Sequence, residues 1–442
     1  MKIQLSEHFT YPKLLRFTLP SIIMLVFSSI YGVVDGFFVS NFVGKTAFTA
    51  VNFILPFLMI LGAVGFMFGT GGGALIAKTM GEGDDVRANR LFSLVVYTSL
   101  GCGVALAALG FGLLRPLATA LGAEGSLLAD CITYGTVLLP AIPAYVLQYE
   151  FQCLFVTAEK PGLGLAVTVA AGLANMVLDA LFVAVLSWGL VGAAAATALS
   201  QCVGGLLPLV YFARPNTGRL RLGPTGWDAR ALGKVCTNGS SELMSNISMS
   251  LVSMLYNTQL LHYAGEDGIA AYGVLMYVSM IFQAMFIGYS VGTAPVVSYH
   301  YGAGNATELH SLLRKSLTVL VGFALAMFAA ARLLAAPLAR LFVGYDAALF
   351  ALTLHAFSIF SFSFLFSGFA IFGSSFFTAL NNGPVSAAIS FLRTLVFQVL
   401  CVLLFPLVFQ VEGIWFSLVA AELLAVAVTA AFLRAKQRIY RY

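Results

Sequence analysis

Ionisable side chains are scarce in this sequence, and the few that lie deep inside apolar segments are the ones with chemistry to perform. The clearest is Asp35, in SSIYGVVDGFFVS, with Tyr31 one helical turn before it on the same face. Asp179, in LANMVLDALFV, has Asn175 in the same relation. An ionisable group at mid-membrane costs about 2.5–3.5 kcal/mol on insertion scales, so two cost about 5–7 kcal/mol unless they face a polar cavity and each other. Two carboxyls that share a low-dielectric site oppose each other's ionisation, and such a pair can take a proton from one side and release it on the other. Together with Thr197, these residues read as a cation site for H+ or Na+; the plainer reading makes them hydrogen-bonded struts between helices.

Other polar residues leave two readings open. Glu150, beside Gln148 and Gln152, either lines the same cavity or hydrogen-bonds near its helix end. Glu242, Arg393 and Glu422 either form an internal ion pair that locks packing or act directly in transport. Pro20 removes a backbone donor, giving the helix that carries Asp35 a place to bend, unless it simply sits in a first turn. Methionine concentrates around residues 244–285, and Met249, Met280 and Met285 are candidates for an adaptable substrate wall. The six cysteines and five histidines are dispersed with no metal-ligand spacing, so no metal or cofactor is expected. GTGGG (69–73) has no preceding strand and no Gly-Lys-Ser/Thr ending, which points to close helix packing and not to a phosphate loop.

What must position these groups is a membrane fold. Of 442 residues, 60% are hydrophobic and only 9% charged, with a formal net charge of +5 and a mean hydropathy of +0.94. A soluble domain carries about 25% charged residues. Soluble enzymes, nucleic-acid binders and disordered scaffolds are therefore excluded. The first residues lack the pattern of a cleaved secretory signal, so entry by the first span is expected. Spans of about 20 apolar residues cross a bilayer, and twelve are predicted: 14–41, 47–79, 90–114, 127–156, 163–186, 190–213, 235–262, 268–298, 313–341, 348–380, 385–409 and 413–434. No connection is long enough for a soluble motor domain. With both termini in the cytoplasm, only Lys45, Arg115, Arg332 and Arg340 fall outside and Arg393 within a span; every other Lys and Arg faces inward.

Sliding the chain on itself by half its length, 221 residues, superposes Gly44 on Gly265, Gly71 on Gly292, Gly81 on Gly302, Gly83 on Gly304, Thr157 on Thr378 and Gly192 on Gly413. Six spans repeated in the same orientation predict an all-α polytopic protein: twelve transmembrane helices in two pseudo-symmetric bundles, 1–213 and 235–442, joined by a cytoplasmic linker, 214–234. Such a pair encloses a central cavity that rocking opens to each side in turn. The acids break the repeat, because Tyr256, Val396 and Leu400 stand at the positions matching Asp35, Asn175 and Asp179.

The succession Pro20, YGVVDGFFVS (31–40), GTGGGALIAKTMGEG (69–83), NMVLD (175–179) and SVGTAPVVSYHYGAG (290–304) resembles the multidrug and toxic compound extrusion (MATE) transporters, most of all their bacterial MepA-type branch. The resemblance covers essentially the whole chain. It implies a V-shaped pair of bundles that exports amphipathic, often cationic, small molecules in exchange for protons or sodium ions, with no enzymatic step. It also implies a cation site of an aspartate in span 1, an asparagine and an aspartate in span 5 and a threonine in span 6, places filled here by Asp35, Asn175, Asp179 and Thr197. The NorM-type branch carries acids in the middle of spans 7 and 10; here Glu242 lies near the start of span 7 and span 10 has none, so a sodium site of that type is not expected. The expected setting is a bacterial inner or plasma membrane, with a monomer whose partners are small molecules and the bilayer, not nucleic acid. Three rivals remain: a flippase for lipid-linked saccharides, which shares the architecture but usually has more spans and a strongly cationic cavity; an intramembrane aspartyl protease, for which the duplication has no purpose; and a channel.

Overall fold

In lipid the backbone has no hydrogen-bond partner but itself, so long apolar runs of an open chain can only be helices. The structure, a computed structural model, describes residues 3–216, 218–344 and 346–442, without the side chains at 33, 36, 37, 40, 41, 45, 46, 48 and 266. Lys2 and the Lys45 side chain, both used in the charge argument, lie outside the described residues. The helices are α1 (Tyr11–Phe38), α2 (Lys45–Gly81), α3 (Asp85–Ala120), α4 (Gly125–Leu138), α5 (Ile142–Thr157), α6 (Pro161–Asp179), α7 (Gly189–Ala213), α8 (Ala229–Gly302), α9 (Ala306–Val343), α10 (Ala347–Phe360), α11 (Phe364–Ala379), α12 (Gly383–Phe391) and α13 (Phe397–Tyr440).

Among the described residues, 10 helical stretches are long and apolar enough to cross a bilayer. Two features reconcile that with twelve crossings. The stretch Gly383–Tyr440 turns back at Gln410, where φ is +52°, and makes two. The first leg of α8, up to the turn at Gly265, is lowered in hydropathy by Asn238, Glu242, Asn246 and Asn257 and falls outside the ten. Span 4 is α4 followed by α5, broken at Leu139–Ala141 by Pro140 and Pro143; span 10 is α10 and α11. Because α8 starts at Ala229, the connection between the halves is shorter than expected.

The repeat is visible in the turns. Gly83 and Gly304, at φ +85° and +66°, end α2 and α8 in a conformation that favours glycine. The next residue caps the following helix in both places: Asp84 Oδ1 accepts from Arg87 N at 2.9 Å, and Asn305 Oδ1 accepts from Glu308 N at 3.1 Å. The halves also cross reciprocally. A Cβ on Gly81 would lie 2.0 Å from Tyr299 O, and one on Gly302 would lie 2.0 Å from Lys78 O, the same contact seen from either side. Only glycine permits that approach. Gly71, from the glycine-rich stretch, likewise packs on the α8 backbone at Val235 and Gly239, so the stretch is a packing device.

Apolar side chains gather in three cores. One runs from Val39 to Ala194 and belongs to the first half; one runs from Val252 to Leu418 and belongs to the second. The third draws on both, from Leu5 and Phe9 through α2, α5 and α8 to Tyr442. The halves are thus joined at the end that carries both termini and have separate cores at the other, a V-shaped pair of bundles. Residues before α1 fasten the joined end across the halves. Leu5 N donates to Glu159 Oε1 at 2.9 Å and Phe9 N to Glu308 Oε1 at 3.0 Å, with His8 Nδ1 2.6 Å from Glu308 Oε2.

Candidate functional site

The buried residues of α6 are Gly164, Thr168, Ala171, Gly172, Asn175 and Asp179, a helical stripe of small and polar groups, while Leu173 and Val177 face outward. Gly172 sets the approach of α1: a Cβ there would lie 2.4 Å from Phe27 Cε1 and 2.9 Å from Tyr31 Cδ1. The next turns of the two helices then bring Asp35 beside Asp179 and Asn175. From α7, Thr197 Oγ1 lies 3.3 Å from Asp35 Oδ1 and 3.1 Å from Ala193 O, so one proton serves two acceptors. Ser200 Oγ donates to Ala171 O at 2.8 Å and ties α7 to α6. All four predicted cation-site residues meet at this junction.

The site is short of partners. Asp179 is fully buried and Asn175 nearly so; Asp35 stands close to both, yet among the described residues neither Asp179 oxygen, nor the Asn175 amide, has a hydrogen bond of regular geometry. No cation pairs with Asp35 or Asp179 among the described residues. Asp35 is the less buried of the two acids. Both acids also stand beside irregular backbone, since α1 runs on into a π-turn at Val39–Val43 and α6 into another at Ala180–Val185. Such turns free backbone groups and recur at functional sites.

Tyrosines surround the acids. Tyr134 of α4, 1% exposed, stands within electrostatic reach of Asp35, Asp179 and Thr197. Gln148 Nε2 donates to Tyr31 OH at 3.4 Å, in a place kept open by Gly204, whose Cβ would lie 2.7 Å from Gln148 Cδ. Tyr145 and Tyr149 share a hydrogen bond of 2.9 Å, and Tyr149 stacks on Phe66 at 4.4 Å. Of these tyrosines only Tyr31 was predicted, because aromatics are ordinary in membrane spans and only the fold tells which ones turn inward.

The remaining candidates lie apart. Glu150 is fully buried between α5 and α3, where it accepts from Ser99 Oγ, so its visible bond leads away from the acid pair. In the second half, Arg393 grips Glu422: Nε donates to Oε1 at 3.1 Å and Oε2 at 2.9 Å, and Nη2 to Oε1 at 2.9 Å. Glu242 lies within electrostatic reach of Arg393. Met249 and Met280 are exposed, whereas Met285 packs against the joined core, so the three do not form one wall. Met249 does share a face of α8 with Glu242, Asn246, Ser253 and Asn257. Pro20 sits well inside α1 and not in its first turn, so the backbone bond it removes is an interior one.

The MatE family model matches residues 20–181 and 243–403, one block in each half. The multidrug export protein MepA of Staphylococcus haemolyticus (strain JCSC1435) is 24% identical over 324 residues, covering 73% of this chain and 71% of its own. That of Staphylococcus aureus (strain MSSA476) is 23% identical over 322 residues, covering 72% and 71%. A solved structure described as the outward-facing conformation of a multidrug resistance MATE family transporter of the MOP superfamily matches with a TM-score of 0.93 at 23% identity, over 99% of this chain and 98% of the other.

Proposed function

The chain belongs to the MatE family of multi-pass membrane transporters, and from that premise we propose that it exports amphipathic, often cationic, small molecules in exchange for protons or sodium ions. The observation that carries this reading is the Asp35–Asp179 pair, which has no protein cation paired with it among the described residues. Charge buried at mid-membrane without compensation needs an ion from outside, and an ion that neutralises it changes how α1, α6 and α7 attract one another. The open oxygens of Asp179 and Asn175, with Asp35 and Thr197, suit either a shared proton or a sodium ion, whose ligands are all oxygens. No cofactor takes part.

In the cycle, substrate leaves as the ion binds, and the bundles 1–213 and 235–442 exchange access by rocking about their joined end. The termini and that end face the cytoplasm, and the protein works as a monomer in the inner or plasma membrane. One proton crossing 100 mV supplies about 2.3 kcal/mol, more than a tenfold concentration ratio requires. The test is efflux of ethidium from proteoliposomes under an imposed pH gradient and, separately, a sodium gradient. Export driven by one gradient and absent in Asp35→Asn is the expected result. Gradient-independent dye movement, or full export by the variant, would overturn the reading.

A further inference from the structure

Where the chain crosses from one half to the other, the connection after α7 is pinned along α3. Asn89 holds it twice, Nδ2 donating to Arg219 O at 3.0 Å and Oδ1 accepting from Arg221 N at 2.8 Å. Gly223 N donates to Ser93 Oγ and Thr225 Oγ1 to Arg90 O, each at 3.0 Å. Beside it lies a groove of about 460 Å³ lined by Leu94, Tyr97, Gly101, Cys102, Ala105 and Trp227. Arg90, Leu94, Tyr97, Gly101 and Ala105 follow one face of α3. From Arg90 to Ala105 the helix rises about 22 Å, enough to run from a headgroup layer through one leaflet of the hydrocarbon.

The two ends of the groove differ in chemistry. Trp227, 77% exposed, has the amphipathic ring that favours the membrane interface. Arg90, Arg221 and Arg230 are exposed around it, and none has an acidic partner among the described residues. Arg219, by contrast, is taken by Asp85 and Glu159, and the nearby Asp228 is engaged in capping α8 through Ala231 N. Farther along, Gly101 and Ala105 leave a shallow apolar track. Arg90 lies on α3 and Arg230 in the first turn of α8, so a headgroup held by both would touch the two halves.

We infer that this groove binds one anionic phospholipid, its phosphate between Arg90 and Arg230 beneath Trp227 and an acyl chain along Tyr97, Gly101 and Ala105. Charge selects the headgroup, since unpaired arginines at the interface attract anionic lipid. The small residues admit the chain. Because its phosphate would be shared by Arg90 of α3 and Arg230 of α8, its occupancy depends on how those two helices are arranged. The test is native mass spectrometry of the full-length protein from micelles holding equal phosphatidylglycerol and phosphatidylcholine. Wild type should retain phosphatidylglycerol about 30-fold in preference. The Arg90→Gln/Arg230→Gln double variant should lose that preference, and Ala105→Trp, which fills the track, should lose retention of both lipids, with melting temperatures reporting intact folds. Equal retention of the two lipids by wild type, or phosphatidylglycerol retention that survives Ala105→Trp, would overturn the assignment.

Discussion

The two halves share their turns, caps and crossing glycines, and differ where charge meets the membrane. In the first half, Asp35 and Asp179 stand together with no cation paired to them among the described residues, and Asp179 is fully buried. In the second, Tyr256 holds Asp35's place, stacked on Tyr272 with ring centroids 5.1 Å apart, and the nearby acid Glu422 is held by three hydrogen bonds from Arg393. An acid held by a guanidinium already has its counter-charge within the protein. Two acids without one must take their compensation from solution, and what they take can be given back on the other side. On the proposed reading, the duplication built the scaffold, and the departure from it built the ion chemistry.

That contrast can be broken at either end. The largest effect is expected at the uncompensated pair: Asp35→Asn and Asp179→Asn should each reduce gradient-driven dye export to background while melting temperature holds or rises, since a buried charge is removed. Next comes the compensated pair. Arg393→Ala strands Glu422 at 1% exposure and should destabilise the protein by about 3–5 kcal/mol in detergent unfolding, whereas Arg393→Met/Glu422→Leu should restore stability and still export. If the double variant stops export, the second half carries ion chemistry too. Gly81→Val and Gly302→Val should each cost about 1–3 kcal/mol or more, and by similar amounts, because they obstruct one reciprocal crossing; unequal costs would show that the halves do not close symmetrically. The smallest effect is at Tyr134→Phe, where losing a hydroxyl worth about 1 kcal/mol should shift the ion concentration for half-maximal export several-fold.

How much was legible follows from the same contrast. A carboxylate in an apolar run is conspicuous, so Asp35 and Asp179 stand out from the sequence, with Asn175 one turn before the second, and the glycine register exposes the duplication. Tyr134, Tyr145 and Tyr149 do not stand out, because a tyrosine in a span satisfies lipid, packing or a site equally well. Glu150 shows the reverse limit: its type marks it as unusual, but only the fold turns it toward Ser99. The pairing of Arg393 with Glu422 was open among three ionisable residues until the π-turn at Leu392–Val396 and the following α13 placed them side by side. The π-turns after Phe38 and Asp179 left no mark that spacing could read, since they arise where helices adjust to their neighbours.

The most direct test of the central claim is release of the coupling ion when dye is added to purified protein, followed with a pH indicator in weak buffer and with radioactive sodium. Wild type and Arg393→Met/Glu422→Leu should release the ion, and Asp35→Asn should release none. Release that persists in Asp35→Asn and vanishes in Arg393→Met/Glu422→Leu would contradict the account, placing the exchange in the half described here as compensated.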